Sequence, residues 1–192
     1  MIEKNPSSRA TVAIASSWLR NCPENHSSCN PPPGSHKPLK RLINGGNETQ
    51  KPFLVDTSSA SRNFQWLLSL SHRWGEPPIK AWTELIEITE DRLKNGIDLD
   101  KFDHTIRDAI VVARALDISY VWIDSLCIVQ GGGEWNEEAS KMNELYGGST
   151  VTLVAASSNS VMDGILNERQ SEYIPISSST VPGKEPPIPR LK

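Results

Sequence analysis

YVWIDSLCIVQ at residues 120–130, then glycines, then EWNEEASKMNELYGGSTVTLVAASS at 134–158: this stretch organises the chain. Tyr120 to Ile123 is apolar on consecutive residues, as expected of a strand buried on both faces in a parallel sheet. The run stops at Asp124. Gly131 to Gly133 reads as a flexible turn. From Trp135, the positions Ala139, Met142 and Tyr146 make one helical stripe, which Gly147 and Gly148 end. Thr150 to Ala156 is apolar and β-branched, and predicts another strand.

Upstream, Trp66 to Ser71 is an apolar run of strand length, closed off by Gly75, Pro77 and Pro78. Trp82, Leu85, Ile86 and Leu93 share a helical face, with Gly96 as the residue after the helix. A second helix carries Ile106, Ala109, Ile110, Ala113 and Leu116 on one side, and Thr105 with Asp108 fits a capping box. RLIN and PFLVDT flank GGNETQK, which predicts a hairpin. Strands alternating with helices give an α/β class. The expected fold is a mainly parallel sheet flanked by helices, with an N-terminal hairpin extension and disordered termini. The expected divisions are a flexible 1–17, a lead-in with the hairpin over 18–63, a core over 64–170 and a serine- and proline-rich disordered tail over 171–192.

The chain has 192 residues, 37% hydrophobic, with a net charge of −3. One domain of that size buries on the order of 70% of its unfolded surface. No basic patch or arm is present, so nucleic acid is not an expected partner. No apolar run reaches the roughly 18 residues of a membrane span. The start lacks a basic region before its short apolar piece, so no signal peptide is expected. Three cysteines do not make a disulfide framework. Together these predict a reducing, cytoplasmic setting.

In an open parallel sheet, ligands sit beyond the carboxyl ends of the strands. That rule gathers Ser71, His72, Arg73 and Trp74 from the first strand with Asp124, Ser125 and Cys127 from the second, and Ser157 and Ser158 from the third. Helical angle adds Glu138, at the margin of the Trp135 stripe, and turns Glu137 to the wet side. Glu138 either faces a ligand or caps its helix and pairs with a basic residue. Asp124 either caps the following turn or orients a ligand hydroxyl. Arg73 suits a phosphate or carboxylate, or a surface acid. Cys127 and His72, with Asp124 as orienter, allow a thiol nucleophile, although Cys127 in an apolar run reads as core. Cys22, His26 and Cys29 have a spacing that could hold zinc, with His36 nearest as a fourth ligand; the alternative is free thiols. Phosphate-loop and dinucleotide motifs are absent.

These residues resemble the fungal heterokaryon incompatibility (HET) domain family. The likeness is carried by LSHRWG at 70–75, TIRDAI at 105–110, YVWIDSLCIVQ at 120–130, EWNEEASKMNELY at 134–146, TVTLVAAS at 150–157 and DGILNER at 163–169. It covers about residues 18–170. Gly131, Gly132, Glu134 and Ser149 depart from the family's usual choices, while Asp124 and Glu138 keep them. The resemblance implies an effector of fungal non-self recognition and regulated cell death, acting by self-association or partner binding. Members usually carry recognition or assembly domains, which implies a stand-alone, truncated or fragmentary member here. The family is similar to TIR domains, some of which cleave NAD with a helical glutamate near the sheet rim. That likeness implies a TIR-like fold and an alternative activity with NAD as substrate. Glu138 would then stabilise the ribosyl cation or fix the ribose hydroxyls, Asp124 and Arg73 would orient the ligand, and Trp74 would stack on a base.

Overall fold

The computed structural model describes residues 3–26, 39–57, 66–75, 84–130 and 133–169. The expectations for the tail after 169, the 31–34 loop, Cys29, His36, Trp82 and the glycine pair 131–132 lie outside them.

A helix, α1 (Arg9–Asn25), opens the described chain, capped by the Ser8 hydroxyl on the Thr11 amide. It replaces the irregular N-terminal stretch expected from the sequence. None of its side chains is fully buried, so its stripe is too shallow to stand out in composition. The hairpin follows as β1 (Arg41–Asn44) and β2 (Phe53–Asp56), antiparallel, with Leu42 opposite Val55. Next come β3 (Leu67–Ser71), α2 (Glu87–Asn95), α3 (His104–Ala115), β4 (Tyr120–Ile123) and a four-residue helix α4 (Asp124–Cys127). Two short helices, α5 (Glu134–Ala139) and α6 (Met142–Gly148), precede β5 (Val151–Val154).

The sheet runs β2-β1-β4-β3-β5. Here the expectation of a mainly parallel sheet is corrected. β3 is parallel to β4 and to β5, but β1 lies antiparallel against both β2 and β4, so the five-stranded sheet is mixed. The hairpin is no appendage. It extends the sheet across the free edge of β4, tied there by the Gly45 amide on the Ser119 carbonyl and the Arg114 guanidinium on the Gly45 carbonyl. Local sequence signals a hairpin but says nothing about which edge it joins.

Leu68, Leu70, Val121 and Ile123 are fully buried, as the consecutive apolar runs require. Each contributes about 1.5–3 kcal/mol relative to exposure. Ile106, Ala109, Ile110 and Ala113 of α3 bury the predicted stripe in the same core. The capping box is not formed. Asp103 is the N-cap residue of α3, while Thr105 and Asp108 are buried and reach a distant segment. The Thr105 hydroxyl accepts the Gly164 amide, and Asp108 Oδ2 accepts the Ile165 and Leu166 amides at 2.9 and 3.1 Å. The predicted single helix after Trp135 is broken at Ser140 and Lys141, where the Ser140 hydroxyl bonds back to the Glu137 carbonyl. Of its stripe, Trp135, Met142 and Tyr146 pack on the core, joined by Leu145.

Candidate functional site at the strand rim

β3, β4 and β5 run the same way, with Leu70 level with both Ile123 and Leu153. Their carboxyl ends therefore meet at one rim, where Ser71 to Trp74, Asp124 and Ser125 come together. β1 runs the other way. Ile43 pairs with Val121, so continuing that register sets Arg41 beside Ile123. Lys40 and Arg41 thus enter the rim from its antiparallel side. Sequence reasoning missed both, because nothing local tells which end of a hairpin strand will lie beside which end of β4.

Asp124 is the centre. It follows β4 directly and begins α4. Its Oδ1 accepts the Ser125 amide at 2.8 Å, and its Oδ2 accepts the Trp74 indole N–H at 3.1 Å. His72 Nδ1 lies 3.8 Å from Oδ1, with its side chain only 1% exposed. Burial pushes the Asp124 carboxyl above the usual carboxylate range, opposed by His72, the Trp74 bond and the Ser125 amide. The same burial pulls His72 below its ordinary value, opposed by Asp124. Tyr146 is close enough to feel this charge. Burial first, and Asp124 second, raise its phenol to about 12, while a hydrogen bond with Ser71 acts the other way. His72 Nδ1 and the Ser125 hydroxyl are buried without a hydrogen-bond partner among the described residues. Such atoms are costly unless something else satisfies them. Arg73 is exposed and Trp74 half-buried.

Glu138 and Glu137 part as the helical angle predicts, with side chains 10% and 58% exposed. Glu138 does not face open space, however. Its carboxylate lies 3.1 Å from Lys141 Nζ and 3.5 Å from Lys40 Nζ. The pairing alternative is the arrangement observed. Glu137 takes the other side of both lysines, which hold its carboxyl below the ordinary range. Glu134, a departure from the family's usual residue, grips Arg41 with both oxygens at 2.6 and 3.4 Å.

Cys127 is core. Burial pushes its thiol up to about 12, and a thiolate nucleophile needs the opposite shift. Cys22 lies on α1 and His26 just after it, and no three potential ligands gather around a metal site among the described residues. A second concavity of about 760 Å³ opens between α1, α3 and the end of β5, lined by Val12, Val112, Leu116 and Leu153. It includes Ser157 but none of the Asp124 group.

The family model "Heterokaryon incompatibility protein (HET)" matches residues 68–186, from within β3 to beyond the described chain. The chain belongs to the heterokaryon incompatibility family. Neither the curated proteins nor the solved structures yield a match. The HET match begins one residue into β3 and takes in the whole parallel part of the sheet, α3 and the rim residues from Leu70 onward. It leaves β1 and β2 outside, so Arg41, which pairs with Glu134, and Lys40, the second cation at Glu138 beside Lys141, come from before the matched HET segment.

The buried histidine gives this HET domain a pH dependence with a definite sign. A folded-state value below 6.5 means that the unfolded chain binds more protons in that window. Stability therefore falls as pH drops through the ordinary histidine range. Asp124 works oppositely at lower pH, because its raised value makes the folded state the better proton acceptor just above 3.8. His72→Gln is expected to flatten the loss between about pH 7 and about pH 5 in urea unfolding. An undiminished slope in that variant would assign the loss to other groups.

Proposed function

We propose that this chain is an effector of heterokaryon incompatibility, in which the domain triggers regulated cell death in fungal non-self recognition. It acts in the cytoplasm by self-association or by binding protein partners. The observation that carries this over catalysis is the state of Glu138. A carboxylate meant to stabilise a developing cation works by being unmatched until the reaction supplies charge. Glu138 is already matched by two ammonium groups, Lys141 and Lys40. No helix among the described residues is long and apolar enough to cross a membrane.

The alternative is a TIR-like NAD glycohydrolase using Glu138, with Asp124, Ser71, His72, Arg73, Trp74 and Ser125 around the ligand. The buried, unpartnered His72 Nδ1 and Ser125 hydroxyl speak for a ligand at that rim. One assay separates the two readings. The purified chain is incubated with NAD, nicotinamide release is followed, and Glu138→Ala is run beside it and expressed in parallel in the host to score death. The effector reading expects no release above background, and killing by Glu138→Ala within about twofold of the parent, since that reading gives Glu138 no chemical role and both lysines keep Glu137 as a partner. Turnover that Glu138→Ala abolishes would reverse the assignment.

A further inference from the structure

We propose that α5 and α6 form a lid over the Asp124 rim, held shut by an ionic clasp between Glu134 and Arg41. Its role as a control on effector action rests on the reading above.

The lid sits on the domain through its side chains and through the Tyr146 carbonyl, which accepts the Thr152 hydroxyl at 2.8 Å. Neither helix contains a fully buried residue. Two aromatic edges seat it: Trp135 against Trp74 at 6.0 Å and Tyr146 against Trp122 at 5.8 Å. Trp74 is also the indole that donates to Asp124, and Tyr146 bonds Ser71. Lifting α5 and α6 would therefore uncover His72, Asp124 and Ser125 with their unpartnered polar atoms. It would also bare Trp74 and Trp122, aromatic side chains of the kind that protein contacts favour.

The clasp closes the amino end of this lid. Arg41 and Glu134 are bidentate, with side chains only 15% and 19% exposed. Lys40 adds a weaker bridge to Glu137 and Glu138. Planar fork-on-carboxylate geometry is the strong form of ion pair, and partial burial shields it from salt. The pair joins an element at the amino end of β1 to one 93 residues later. Its loss should act on the lid alone. Of the other acids near Arg41, Glu90 at 4.0 Å keeps Lys94 at 2.8 Å, and Asp56 stands opposite Arg41 on β2. Gly133, just before α5, has no atom of another described residue within 4 Å of where a Cβ would lie.

The test is hydrogen exchange by mass spectrometry on the full chain. Glu134→Gln keeps the shape and removes the charge; Arg41→Met keeps the packed stem. Each should speed exchange across 134–148 by roughly three- to tenfold, with β3 and β4 unchanged. The double variant should add little to either single one, because both remove the same bond. Exchange unchanged in both variants, or rising equally in β4, overturns the clasp. So does a double variant that multiplies the two effects. Sedimentation of the same samples tests the effector reading separately: an opened lid without new self-association or partner capture retains the clasp and counts against that reading.

Discussion

Asp124→Ala is expected to destabilise the domain by about 2–4 kcal/mol, because it orphans two donors at once. The Trp74 indole N–H and the Ser125 amide both lose their acceptor. Asp124 itself is 8% exposed, so water reaches the vacated place poorly. Part of the loss is offset, since the carboxylate was held above its ordinary range by burial. Asp124→Asn keeps an acceptor oxygen and should cost less than half as much. In a thermal scan the alanine variant should melt about 5–15 °C lower. Tryptophan emission should shift too, as Trp74 loses its bond and its seat against Trp135. A drop of under about 2 °C would mean that Asp124 does not organise the rim.

Asp108→Ala is expected to have a comparable effect on the neighbouring closing segment, which reaches the rim where the Val161 amide donates to the Trp74 carbonyl. Asp108 is 5% exposed and accepts two backbone amides, Ile165 and Leu166. Its other oxygen takes the Arg107 guanidinium at 3.2 Å. The segment it holds bends sharply at Gly164, which has φ +77 and leaves only 2.8 Å between a hypothetical Cβ and Asp108 Oδ2. The Ser158 hydroxyl and Thr105 fix the same glycine. Losing Asp108 should cost about 2–4 kcal/mol by leaving those amides unpaired. It should also release 158–169 to proteolysis ahead of global unfolding. Gly164→Ala should do the same by strain and displacement. Equal protease resistance in Asp108→Ala and the parent would show that the segment is held by its apolar contacts instead.

Local patterning made much of this legible. Tyr120 to Ile123 is a strand over the residues its apolar run marks, because a buried parallel strand needs no partner to announce itself. RLIN and FLVD form the hairpin, and the spacing of Ile106, Ala109, Ile110 and Ala113 gives α3 its buried face. Helical angle distinguished Glu138 from Glu137. Thr105 and Asp108 misled, because a capping box and a pair of anchors for a segment 57 to 59 residues away look alike in sequence. α1 was missed because no side chain on it is fully buried.

The sequence by itself determined the family and the strands, and it gathered Ser71 to Trp74 with Asp124 and Ser125 on the premise of parallel strands, which β3, β4 and β5 meet. Those follow from period, from strand direction in the β3-β4-β5 set and from a block of residues read as a whole. Only the tertiary structure decided what Glu134 and Glu138 do there. Their partners, Arg41, Lys40 and Lys141, include Arg41 of β1 and Lys40 just before it, both outside the family match and brought in antiparallel beside β4. Edge choice and register are long-range properties, set by which pairing buries most and leaves fewest polar groups unpaired. No window of residues around 134–138 carries that information.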